Sequence, residues 1–172
     1  MSVSSPVLTR TPSLPVPKSA QPLRLASVED LKRLLDFEAL CFESSRRDTP
    51  STIRRTLTSQ RDEVWILDGP SDRIDASLYL RLQQKALRIF SVATHPDLRG
   101  RGWGNRLLDL SISRAQAHGK RLLTLEADAS NPDLVGWYER HAFRKARLLP
   151  SYYAPGQDAW RLVREVDPSR PS

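Results

Sequence analysis

From position 23 onward, apolar residues follow two rhythms. Short runs that alternate with polar positions, or stay apolar for four to eight residues, read as strands. They are "PLRLAS", "EVWILD", "IDASLYLRL", "ALRIFSVAT", "RLLTLEA", "FRKARLL" and "AWRLVREV". Between them lie segments of helical spacing. Ser27 caps the first, with Asp30 in the third position as a capping-box partner. Leu31, Leu34, Leu35 and Ala39 then carry it to about Cys41. Residues 51 to 59 read as a second, short helix. A third carries Leu107, Leu108, Ser111, Ile112 and Ala115 on one face and ends at His118-Gly119. The fourth opens at Asn131-Pro132 and runs to about Arg140. The order β-α-α-β-β-β-α-β-α-β-β predicts a mixed α/β domain. Its early strands are antiparallel, and one strand–helix–strand crossover lies in the middle.

Composition sharpens the boundaries. The chain has 172 residues, enough for one domain with a core. Residues 1–22 hold five of the thirteen prolines and no acidic residue, so they read as a disordered Pro/Ser-rich tail. The domain spans 23–167, and 168–172 form a second disordered end. The tail is Ser-rich and acid-poor like a transit peptide, but its prolines oppose the amphipathic helix such peptides form. No apolar run approaches the roughly 18 residues of a membrane span. One cysteine, Cys41, excludes an internal disulfide framework and a cysteine-built zinc site. These features predict a cytoplasmic protein with no membrane partner. The net charge of +7 favours anionic ligands.

The segment "RIFSVATHPDLRGRGWGNRLL" carries the chemistry. Gly100, Gly102 and Gly104 fall where a strand hands over to a helix. Glycines there let backbone approach a ligand closely, and helix-start amides with the positive dipole end form a pyrophosphate cradle. Arg99 and Arg101 add charge beside it. No Gly-Lys-Ser/Thr follows, and the glycines are spaced by two, so neither the P-loop nor the dinucleotide fingerprint fits.

"VATHPDLRGRGWGNRLL" resembles the acetyl-CoA motif R/Q-x-x-G-x-G/A of the GNAT N-acetyltransferases, met by Arg99, Gly102 and Gly104. "LEADASNPDLVGWYERHAF" resembles their second motif, through Asn131, Tyr138 and Phe143. "SYYAPGQDAW" resembles a C-terminal stretch of the subgroup that acetylates protein N-termini, typified by the bacterial ribosomal-protein alanine acetyltransferases. The resemblance implies a central mixed, mostly antiparallel sheet of about seven strands with about four helices on both faces. It also implies strands splayed at the acetyl-CoA site. Backbone near Val92 and Ala93 would meet the pantetheine arm, and amides of Arg99, Gly100, Arg101, Gly102, Trp103 and Gly104 the pyrophosphate. Asn131 would cap its helix and touch the cofactor arm. Glu126 is implied as general base, Tyr138 as general acid, and Tyr152 and Tyr153 as the lining of a peptide entrance. Leu134, Trp137 and Ala142 depart from the family pattern, which prefers Ala, Leu and Gly there.

Amine acetylation needs a neutral nucleophile, whereas an α-amino group titrates near 8 and a lysine near 10.4, so a positioned carboxylate is useful. The reading is therefore a direct N-acetyltransferase acting on a protein or peptide amine. A small amine is the alternative acceptor, for which Asp48, Asp62 and Glu63 are acidic candidates. A third reading is a basic nucleic-acid-binding domain built on Arg140, Arg144, Lys145 and Arg147. His95, His118 and His141 lack metal-ligand spacing, and no metal is expected. The side chains of Trp103 and Trp137 read as core.

Overall fold

The computed structural model of the protein describes residues 22–169. The two ends read from the sequence as tails therefore fall largely outside the described residues. The elements are β1 (Arg24–Leu25), α1 (Leu31–Cys41), α2 (Pro50–Thr58), β2 (Asp62–Asp68), β3 (Ile74–Leu82) and β4 (Leu87–Thr94). They continue with α3 (Trp103–Ala117), β5 (Leu122–Asp128), α4 (Pro132–Arg140), β6 (Arg144–Ala154) and β7 (Gln157–Glu165). The strands make one seven-stranded sheet in the order β1-β2-β3-β4-β5-β7-β6. Every pairing is antiparallel except β4 with β5, the pair joined by the α3 crossover.

Alternation along the strands splits the core in two. Leu78 and Leu80 of β3 face Leu107, Leu108, Leu125 and Leu162, with α3 and α4 on that side. Tyr79 between them faces Leu34, Phe37, Ile53 and Ile66, under α1 and α2. That second cluster contains no residue of β5, β6 or β7. Hence α1 and α2 cover only the first half of their face of the sheet.

Ser27 and Asp30 form the expected capping box, with Ser27 N–H donating to Asp30 at 2.9 Å. The Asp30 carboxylate also receives Arg24 and Arg33, and both guanidinium groups reach Asp68 of β2. This knot fastens the two-residue β1 and the start of α1 to the sheet.

Two irregularities in β4 shape the middle of the sheet. Leu80 pairs with Ile89 but Tyr79 with Ser91, so Phe90 is an extra, bulged residue. On its other side, β4 pairs with β5 only at Leu87↔Leu123 and Arg88↔Thr124. Beyond those two pairs the strands separate, matching the splayed strands that the family resemblance implies.

One element differs from expectation. The strand read as ending at Leu149 continues to Ala154. Pro150 donates no hydrogen bond, but β6 is an edge strand, where a missing donor costs little. A register break between Leu149 and Ala154, with Ser151 at φ 51°, accommodates it. Tyr152 and Tyr153 are thus strand residues. Ala142, standing where glycine is preferred, adopts φ 61°.

Candidate active site

The chain leaves β4 through the loop that opens α3. Gly100 and Gly102 have φ of 73° and 83°, a region that favours glycine. Gly102 is the N-cap of α3 and has no side chain to accept from the first-turn amides. Helices α2 and α4 are capped differently: Thr49 accepts from Thr52 N–H at 3.2 Å, and Asn131 from Leu134 N–H at 3.0 Å. Helix α3, the longest of the described helices, thus begins with first-turn amides that no N-cap side chain takes up, beside two exposed arginines, Arg99 and Arg101. Such an end suits a polyphosphate. Trp103 is buried, so its side chain belongs to the core and only its backbone faces the turn. Gly104 has a separate cause: a Cβ there would stand 3.0 Å from the Trp137 ring. Trp137 also donates its Nε1–H to Asn105 at 3.3 Å, so α4 is packed onto the first turn of α3.

The separation of β4 from β5 opens a cleft of about 340 Å³. Glu126, Tyr138, Val92 and Leu134 line it from the sheet and α4, and Tyr152 and Tyr153 close it from β6. The Glu126 side chain is only 4% exposed and sits between two guanidinium groups. Arg88 reaches its Oε2, with Nη2 at 2.6 Å and Nε donating at 2.9 Å. Arg161 Nη2 lies 2.6 Å from Oε1, but out of line for a hydrogen bond, so Oε1 makes none. Arg161 is directly opposite Glu126 in the β5–β7 register.

Tyr138 is buried on α4, edge-on to Phe143 at 5.6 Å. Burial, with Tyr153 adding to it, pushes its phenol well above the ordinary tyrosine range. Tyr153 donates to the Glu126 main-chain oxygen at 3.3 Å, and Arg46 stacks over its ring at 4.5 Å. Its phenol is pushed up to about 12, chiefly by burial. Tyr152 accepts from Arg88 Nη2 at 2.8 Å. The helical side of the cleft is acidic. Glu38 accepts from Asp48 N–H at 3.0 Å, and burial raises both carboxyls.

The structure thus gathers Glu126, Tyr138, Val92, Tyr152 and Tyr153 into one cleft. Ala93 is packed into the core under α1 and offers only backbone. Arg99 to Gly104 stand at the start of α3, outside the cleft lining. Asn131 is exposed, and the bond it makes is the helix cap. Of the acidic candidates only Asp48 lines the cleft, because Asp62 is paired with Arg81 and Glu63 with Arg114 and His118. The basic cluster is partly neutralised, Arg144 by Glu165 and Lys145 by Glu139. Sequence reasoning missed Arg88, Arg161 and Glu38. Opposing the β5 and β7 strings in antiparallel register would have brought Arg161 to Glu126. No metal-binding cluster occurs among the described residues, and none of their helices is long and apolar enough to cross a membrane.

The profile of the Acetyltransferase (GNAT) family matches residues 31–143, and the chain belongs to that family. A [ribosomal protein bS18]-alanine N-acetyltransferase of Salmonella typhimurium is 31% identical over 86 residues, 50% of this chain. The match spans 58% of that enzyme's length. An N-alpha-acetyltransferase MAK3 of Arabidopsis thaliana is 39% identical over 64 residues, 37% of this chain and 34% of its own. Among solved structures, the ribosomal-protein-S18-alanine N-acetyltransferase of Escherichia coli superposes with a TM-score of 0.75 at 21% identity. That superposition covers 85% of this chain and 94% of the other, and it shows that the fold is shared.

Proposed function

We propose that the protein is an acetyl-CoA-dependent N-acetyltransferase whose acceptor is the amino terminus of a protein or peptide. One observation carries this reading. A buried carboxylate, Glu126, and a buried phenol, Tyr138, line a single cleft formed by the divergence of β4 from β5. The relatives named for acetylating protein N-termini support a polypeptide acceptor.

The residues fit the donor. Free amides at the α3 start, with Arg99 and Arg101, would hold the diphosphate. The β4 backbone at Val92 and Ala93, unpaired toward β5, would take the pantetheine arm. Acetyl-CoA supplies an acetyl group activated as a thioester. The incoming nitrogen forms the N–C bond while the C–S bond breaks. Arg88 fixes Glu126 through Oε2, and Oε1, which lies against Arg161 Nη2 without a hydrogen bond to it, would accept the amine proton, directly or through a water. Tyr138 is protonated at neutral pH because burial disfavours its phenolate, so it has a proton to give the departing sulfur. No covalent acyl-enzyme is required, and Cys41 takes no part.

The test combines two measurements on the purified full chain. Acetyl-CoA should raise its melting temperature, and mass spectrometry should find peptides acetylated at the α-amine. Binding without peptide acetylation, alongside turnover of a polyamine or aminoglycoside, would overturn the acceptor assignment. Absence of acetyl-CoA binding would overturn the reading altogether.

A further inference from the structure

The half of the sheet that α1 and α2 leave uncovered carries an uneven row of charges. Arg88 on β4, Glu126 on β5, Arg161 on β7 and Arg147 on β6 lie side by side. Arg88 contacts Glu126, Glu126 is registered with Arg161, and Arg161 with Arg147. Residues directly opposite on antiparallel strands share a face, so Arg147 points to the cleft side together with Arg161 and Glu126.

That placement depends on a bulge. Lys145 pairs with Leu162 and Arg147 with Arg161, so Ala146 is an extra residue between them. In an unbroken strand Arg147 would share the face of Lys145, which reaches Glu139 of α4 and the Trp160 ring on the opposite side. The bulge turns Arg147 around. It thereby sets two arginines directly opposite each other, an arrangement that disfavours itself. Arg147 makes no ion pair among the described residues, and the buried Nε of Arg161 has no hydrogen-bond partner. Arg88 and Arg161 therefore hold the one carboxylate of the row, and Arg147, next along it, is left without one.

We infer that this row is a specificity element. Arg147 and Arg161 receive a carboxylate side chain of the acceptor, one or two residues beyond the amine, so the enzyme selects acidic amino-terminal sequences. The inference rests on the peptide-acceptor reading and names its substrate class. The geometry favours a carboxylate over a neutral side chain because a guanidinium fork matches it bidentately and a second arginine stands opposite. A lysine or arginine at that position would meet an excess of like charge. The acidic side of the cleft does not cancel this preference. Glu38 of α1 and Asp48 line the cleft from its helical side, whereas Arg147 and Arg161 belong to the strand side.

The experiment uses the full chain, acetyl-CoA and three peptides differing only at the second and third residues: Asp-Asp, Asn-Asn and Lys-Lys behind a common alanine. The Asp-Asp peptide should exceed its amide isostere in kcat/KM by about threefold to tenfold, and the margin should shrink as salt rises. Arg147→Gln should cut that ratio, and Arg147→Glu should place Lys-Lys above Asp-Asp. Arg147 is exposed, so both variants should melt with the parent. Equal turnover of all three peptides, or a ratio that Arg147→Glu leaves in place, overturns this inference and leaves the acceptor reading standing. No turnover of any peptide, with acetyl-CoA bound, removes the acceptor reading and this inference together.

Discussion

Glu126→Gln removes one negative charge and keeps the volume. Two consequences compete, and the structure allows both to be sized. The side chain is 4% exposed, but its partners are more so: Arg88 is 18% and Arg161 40% exposed. Breaking a fully buried pair costs about 3–5 kcal/mol, but solvent reaches both arginines and glutamine can still accept from Arg88. A loss of about 1–2 kcal/mol follows, or roughly 2–8 °C in Tm for a chain of this size. That is small beside a typical stability of about 5–15 kcal/mol, so the variant is folded when assayed. Loss of a general base costs about 10²–10⁴ in rate. The rate effect therefore dominates and should appear in kcat on a folded protein. It also has a pH signature. Above the acceptor's pKa, near 8, the amine is already neutral, so the deficit should shrink as pH rises through that value. The assay is initial-rate thiol release with a peptide acceptor from pH 6.5 to about 9.5, with Tm measured in parallel. A kcat within about threefold of the parent at pH 7 would refute the base assignment. A large deficit that does not change with pH would make Glu126 a positioning residue, holding Arg88 and Arg161 in place.

Tyr138→Phe should lower kcat by about 10²-fold or more, with Tm nearly unchanged, because the hydroxyl makes no hydrogen bond among the described residues; steady-state kinetics and a melt decide it. Ala142→Gly should stabilise the fold by about 0.5–1 kcal/mol, since φ 61° strains an L-residue by about 1–2 kcal/mol and glycine returns part of that as unfolded-state entropy. Denaturant titration would show a higher midpoint at constant m. Glu63 is a pH-dependent contributor. Burial would raise its pKa, but the hydrogen bonds from Arg114, Trp65 and His118 outweigh it and hold the carboxyl down to about 2. A depressed pKa stabilises fully above the unfolded value of 4.5 and is lost as pH falls toward 2. Glu63→Gln should thus lower stability at pH 7 by about 1–3 kcal/mol and flatten the acid limb of the stability curve between those values.

Local signals carried most of the fold. Ser27 with Asp30, Asn131 with Pro132, and the 3.6-residue recurrence of Leu107, Leu108, Ser111 and Ala115 each act within one turn, so a string of residues displays them. The continuation of β6 was hidden because Pro150 and Ser151 carry turn chemistry, and only the edge position makes a strand tolerate them. Glu126 and Tyr138 were found through resemblance to a family motif, and the physics around them was not. Arg88 and Arg161 lie 38 and 35 residues from Glu126 in sequence and meet it only through strand register. Glu38 was invisible for the same reason, since it sits on a leucine-bearing helix and becomes part of the cleft only when α1 is laid over β3. The turning of Arg147 depends on a single extra residue, Ala146, that no alternation rule announces.

The departure of β4 from β5 has a mechanical side. Two residue pairs are all that join the sheet's halves directly, so the seam between them is held chiefly by α3 and by the Trp137 ring lodged against Gly104. Beyond Arg88 the facing edges of β4 and β5 carry no ladder between them, an interruption in the middle of the sheet. A ligand threaded there would supply the missing rungs, and hydrogen exchange along the seam should slow far more on loading than exchange at the outer strands.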